Sequence, residues 1–186
     1  MRLAALAAPL LAAALSSGCL VVGLHPFYDE SAIEFDEALV GVWENAEDKA
    51  ELRVERGQWR SYRIAYAEDG STETFTGYLT RIGPVRLLDL SPFKVPEGTS
   101  LLAPVHLPVR VQLLGDSLSL ALLDYDWFRA EVERGRLAAL GAARGEDGNV
   151  VFTAPTAGVR AWMATHASEH FDEAARFSRK PAGQAP

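Results

Sequence analysis

The sequence predicts a mainly β fold: an antiparallel barrel or sandwich of about eight strands, with two packed α-helices near 126–140 and 155–175. Three observations predict it. From Gly41 onward apolar residues recur at every second position in short runs, glycine and proline turns separate the runs, and only two stretches show helical spacing.

The strands follow in order. After a short run at Trp43, Leu52 and Val54 form one ending near Gly57. Tyr62, Ile64 and Tyr66 alternate with Ser61, Arg63 and Ala65, and Glu68-Asp69-Gly70 supplies a hairpin turn in which glycine accepts positive φ. Phe75, Gly77 and Leu79 alternate with Thr74, Thr76 and Tyr78 up to Gly83-Pro84. Val85–Leu90 is a further strand. Val109, Val111 and Leu113 pair through Gly115-Asp116 with Leu118, Leu120 and Leu122. Pro92, Pro96 and Pro104 make Ser91–Leu107 a long loop, because proline removes a ladder donor. Val150–Thr153 completes the count.

Two segments read as helices. Asp124 or Asp126 caps the first, which carries Trp127, Phe128, Val132 and Leu137 and ends near Gly141, with Gly135 weakening its middle. The second starts at Thr153-Ala154-Pro155, where Thr153 is a cap candidate and proline is tolerated in the first turn. Val159, Trp162, Met163 and His166 then recur at helical spacing.

Gly41-Val42-Trp43, opening an up-and-down run of strands with a helix near the C-terminus, resembles the Gly-x-Trp start of lipocalins and related calycins. The resemblance implies a barrel closed at one end by the tryptophan, with a cavity for small, often apolar ligands. A helix between the last strands departs from that pattern.

The N-terminus reads separately. Met1-Arg2, the Leu/Ala run Leu3–Leu15 with Pro9, and Ser16-Ser17-Gly18 before Cys19 have the basic start, short apolar core and small residues of a secretory signal. Thirteen apolar residues are fewer than the about 20 that a membrane-crossing helix needs. Ser17-Gly18-Cys19 resembles the lipobox of bacterial lipoproteins, although Ser16 stands where that family usually carries leucine. The resemblance implies removal of residues 1–18 and acylation of Cys19. Because Cys19 is the only cysteine, an internal disulfide is excluded, and lipidation consumes a thiol that is a liability in an oxidising compartment. Leu20 lacks the aspartate that the family's sorting rule associates with inner-membrane retention. The expected location is the outer membrane, facing the periplasm.

The chain thus divides into a signal (1–18), a lipidated acidic leader or linker (19–39), one β-rich domain (40–178) and a short mobile tail (179–186). A further resemblance, to a set of uncharacterised bacterial lipoproteins, covers most of the mature chain. It rests on Leu24-His25-Pro26-Phe27-Tyr28, Leu39-Val40-Gly41-Val42-Trp43, Leu88-Asp89-Leu90 and Phe152-Thr153-Ala154-Pro155-Thr156, and implies localisation and fold without an activity.

A formal charge of −7, made one unit more acidic by loss of Arg2 with the signal, argues against nucleic-acid binding. Candidate chemistry is sparse. His166-Ala167-Ser168-Glu169-His170 matches the H-x-x-E-H pattern of inverted zinc metallopeptidases, in which two histidines four apart on a helix share a metal and the glutamate acts as base. A third ligand would have to come from Asp172, Glu173 or an upstream residue. Asp124 and Asp126 would share a face on a strand as a carboxylate pair or metal ligands, but helix capping explains them at lower cost. Asp29, Glu30, Glu34, Asp36 and Glu37 lack the glycine and spacing of a calcium loop. There is no phosphate loop and no nucleophile elbow around Ser31. His25 and His106 have no partner legible in sequence. Trp59, Tyr62, Tyr66, Phe75 and Tyr78 are core or cavity-lining candidates.

The expectation is therefore a non-enzymatic, lipid-anchored envelope protein without a cofactor. Its leading role is binding a small apolar or amphipathic ligand, and the alternative is structural or assembly contact with an envelope protein. Zinc hydrolysis through His166, Glu169 and His170 is a remote third. A filled barrel interior favours assembly, and a cavity of several hundred Å³ favours binding.

Overall fold

A computed structural model describes residues 20–93, 105–166 and 169–181. The fold is a closed, eight-stranded antiparallel barrel of lipocalin-like form, with one strand outside the closure, a small second sheet and two helices. The barrel strands run β3 (Gly41–Asn45), β4 (Ala50–Arg56), β5 (Ser61–Glu68), β6 (Ser71–Ile82), β7 (Val85–Pro92), β8 (Leu107–Leu114), β9 (Ser117–Leu122) and β12 (Ala175–Arg179). Each of the first seven pairs with the next, and β12 closes the ring between β9 and β3.

The hairpins form where turn chemistry predicts. At the β5–β6 turn Asp69 and Gly70 both have positive φ (49° and 79°), the geometry that matches the twist of flanking strands. The long β6 pairs β5 through Ser71–Tyr78 and β7 through Phe75–Ile82, so its four shared residues carry the curvature of the wall. β2 (Ile33–Glu34) lies outside the closure on the remaining edge of β6.

Alternation sorts side chains into two cores. Inward residues, among them Trp43, Leu52, Tyr62, Ile64, Tyr66, Leu79, Leu88, Val109, Leu118 and Phe177, form the barrel interior. Outward Ile82, Val85, Leu87 and Leu123 instead join a second cluster with Phe27, Phe128, Phe152, Val159 and Met163, beneath helices α1 (Tyr125–Glu133) and α2 (Thr156–His166). The second sheet, ordered β1 (Val21–Gly23), β11 (Val150–Phe152), β10 (Ala143–Arg144), lies between these cores.

Several boundaries differ from the sequence reading. The expected helix near 126–140 ends at Glu133, with a separate 3-10 turn at Ala138–Leu140, because Gly135 takes φ +69° and leaves the helical register. Asp124 is its cap, accepting the Trp127 N–H at 2.9 Å. The helix expected near 155–175 ends at His166, and residues 175–179 are the eighth barrel strand. Alternation there is too short to read, and burial of Phe177 decides it. Thr153 does not cap α2; its hydroxyl donates to the Gly141 carbonyl. The strand expected at Val150–Thr153 spans Val150–Phe152 and belongs to the second sheet, not to the barrel. Arg179, placed in a mobile tail, is the last residue of β12.

The acidic leader is not a free linker over residues 20–39. Val21, Val22, Phe27, Ile33 and Leu39 are buried, and two 3-10 turns capped by Asp29 and Asp36 fold it onto the barrel. The signal, Cys19, most of the Ser91–Leu107 loop and the end of the tail lie outside the described residues.

Candidate functional site

The two ends of the barrel are built differently. At one end Trp43 is fully buried, its indole N–H donating to the Leu39 carbonyl at 3.0 Å. The Arg179 guanidinium lies 4.1 Å from the Trp43 ring and donates to the Val40 and Ala38 carbonyls and to Asp116. Gly41 is required twice over: its φ is +149°, and a Cβ there would lie 2.6 Å from Arg179 Nη1. The glycine of Gly-x-Trp thus makes room for the cation that covers the tryptophan. Tyr62, stacked on Phe35 at 4.8 Å, adds to this seal.

The opposite end is the candidate site. Leu52, Ile64, Tyr66, Phe75, Leu88, Leu90, Leu107, Val109 and Leu120 line an apolar cavity of about 30 Å³ there. Of the five aromatics singled out in sequence, Tyr66 and Phe75 line it and Tyr62 belongs to the seal. Tyr78 packs outside on Tyr28 at 4.6 Å, and Trp59 is exposed with φ +56°. Beside the cavity Tyr66 donates to Glu68 Oε2 at 3.0 Å, and Glu68 Oε1 is buried without a hydrogen-bond partner. Burial, then the adjacent Glu68, drives the Tyr66 hydroxyl pKa upward.

A polar clasp sits just outside this end. Asp89 is 1% exposed; one carboxylate oxygen accepts the Phe27 N–H at 2.7 Å and the other meets His106 Nδ1 at 2.9 Å. Burial pushes Asp89 above the usual carboxylate range, against the opposing effect of its hydrogen bonds to His106 and the Phe27 backbone. Burial and neighbouring Asp89 likewise push the Tyr28 hydroxyl up to about 12. Phe27 packs 6.3 Å from Phe152, and the Thr156 hydroxyl donates to the Pro26 carbonyl at 2.7 Å. Three of the segments that carry the lipoprotein resemblance, around Phe27, Asp89 and Phe152, therefore meet in one joint between leader, barrel and α2. His106, partnerless in sequence, is part of it.

The zinc pattern is not assembled as its chemistry requires. His166 is the last residue of α2, with its ring stacked on Trp162 and Nδ1 2.9 Å from the Trp162 carbonyl oxygen. His170 lies beyond the helix, stacked at 3.6 Å on Trp127, and Glu169 is exposed. The two histidines do not share a helix face. Among the described residues no three His, Cys, Asp or Glu side chains gather as a metal site.

Several of the other candidate acids have structural partners. Asp126 pairs with Arg129, Asp36 with Arg86 at 2.8 Å, Glu34 with Arg81 and Arg86, and Glu37 with Arg56. The leader acids thus fasten it to arginines of β4, β6 and β7, a pairing that sequence separation conceals. Burial, then Asp124 and Asp126, raises Asp172 to about 6.

The first described residue is itself fixed. Leu20 N–H donates to Asn149 Oδ1 at 2.9 Å, and its carbonyl accepts the Val150 N–H at 2.8 Å. Among the described residues no helix is long and apolar enough to cross a membrane. No family model, no curated protein and no solved structure matches the chain.

Proposed function

We propose that this chain is a lipid-anchored cell-envelope protein, acylated at Cys19 and facing the periplasm from the outer membrane, with a structural or assembly role toward an envelope protein. The observation that carries the role is the filled barrel. Among the described residues the apolar cavity inside it measures about 30 Å³, against roughly 300–1,000 Å³ in sites that enclose a small molecule. A barrel so packed acts through its outer surface. The anchor rests on the lipobox resemblance and on the single thiol.

Two measurements test the reading. Labelling with a radioactive fatty acid is expected to mark the native chain and to fail in Cys19→Ala; persistent labelling removes the anchor. Native mass spectrometry of envelope-purified protein is expected to give the acylated chain without a small-molecule adduct. A stoichiometric adduct would move the role to ligand carriage.

That second reading, binding of a small apolar or amphipathic ligand, is favoured by one observation. The cavity lies toward the end of the barrel opposite Trp43, and its walls are apolar. An apolar fluorescent probe displaced by filling the cavity, as in Leu88→Trp, would support it.

A further inference from the structure

We infer that the open end of the barrel is the face this protein lays on the lipid surface, with Leu24 and Val105 at the contact. The inference rests on acylation of Cys19 as proposed above and adds the orientation that acylation alone leaves undetermined. A lipid anchor orients a domain only when the intervening chain is short and fixed, and here it is both.

Gly23 exchanges both backbone hydrogen bonds with His106, each 2.9 Å, immediately before Leu107 lines the cavity. Leu20 and Val22 face the interior cluster while Val21 faces the outer one, so β1 lies at the rim of the open end. Both backbone groups of Leu20 are bonded, and Val21 and Val22 are 2% and 4% exposed. Four chain steps from Cys19 to Gly23 span at most about 14 Å. The eight residues of β8 carry the wall about 26 Å along the strand to Leu114 at the sealed end. An acyl group on Cys19 therefore holds the open rim nearest the bilayer.

The rim has the surface for it. The antiparallel bridge at Gly23 and His106 makes Leu24 and Val105 cross-strand neighbours, and they are 41% and 38% exposed. Two large apolar side chains held side by side beside the anchor suit the headgroup boundary, where apolar groups bury about 5–10 Å deep. Trp59 and Leu114, also exposed, project at the sealed end and are the competing contact.

The test uses the full acylated protein in vesicles of phosphatidylethanolamine with a minor share of phosphatidylglycerol. Acylation blocks Cys19, so Leu24→Cys, Val105→Cys and Leu114→Cys each give one spin-labelling site. The ratio of oxygen to nickel-chelate accessibility is expected to be about threefold higher at positions 24 and 105 than at 114. Equal ratios, or the higher ratio at 114, overturn the orientation while leaving the anchor intact. A protein mass without acyl chains, accompanied by two labels per chain, overturns the anchor and the orientation together.

Discussion

Asp89 of β7 and His106, just before β8, are joined side chain to side chain at 2.9 Å, and the same carboxylate holds the Phe27 amide. One buried acid thereby ties together the leader, the barrel wall and the strand entry beside the candidate site. Replacing it leaves a buried donor unsatisfied, which costs roughly 1–3 kcal/mol for each group so exposed. Asp89→Ala is expected to lower stability by about 3 kcal/mol in urea unfolding and to speed hydrogen exchange at the Phe27 amide. An unchanged midpoint with unchanged exchange would show that the clasp holds nothing.

Arg179 combines a cation–π contact with hydrogen bonds to two carbonyls. Arg179→Ala is expected to cost about 2–3 kcal/mol, and Arg179→Lys to recover less than half, since a point charge cannot reproduce the planar fork over Trp43. Full recovery by lysine in denaturant titrations would reduce the seal to charge alone.

Asp172 carries the clearest pH signature. Its folded pKa of about 6 lies above the unfolded value of 3.8, so the folded state binds the proton more tightly. Its contribution is fully present below about pH 4 and is lost as pH rises through 6. The full displacement corresponds to about 3 kcal/mol, which screening of a half-exposed group reduces to about 1. Asp172→Asn is expected to raise stability at pH 8 by about 1 kcal/mol while changing little at pH 4. A gain of equal size at both pH values would refute the titration argument.

Glu68 presents a buried oxygen with no hydrogen-bond partner among the described residues, beside an apolar cavity. Glu68→Gln keeps an acceptor for Tyr66 and removes the buried charge, so thermal unfolding should shift upward by an amount equivalent to about 1 kcal/mol. A loss of stability would mean that the charge itself is used.

How much was legible follows from the range of each interaction. Strands β4 to β9 announce themselves because alternation and turn glycines act within a few residues, and the same is true of a cap at Asp124 or Asp126, between which the structure chooses Asp124. β12 was hidden, since five residues carry too little pattern and their partners lie on β3 and β9. The clasp was hidden for a similar reason: Phe27, Asp89 and His106 give no local sign that they touch. The H-x-x-E-H pattern misled in the opposite sense, for a spacing that pairs side chains on a helix means nothing once the helix stops at His166.

By itself, then, the sequence determined a β fold, its hairpins and the Gly41–Trp43 start, all properties of neighbouring residues. Only the tertiary structure decided that the sheet closes, that the leader is fastened to the wall, and which side chains share the interior. Closure and packing depend on which distant side chains share one volume, and local pattern does not fix that.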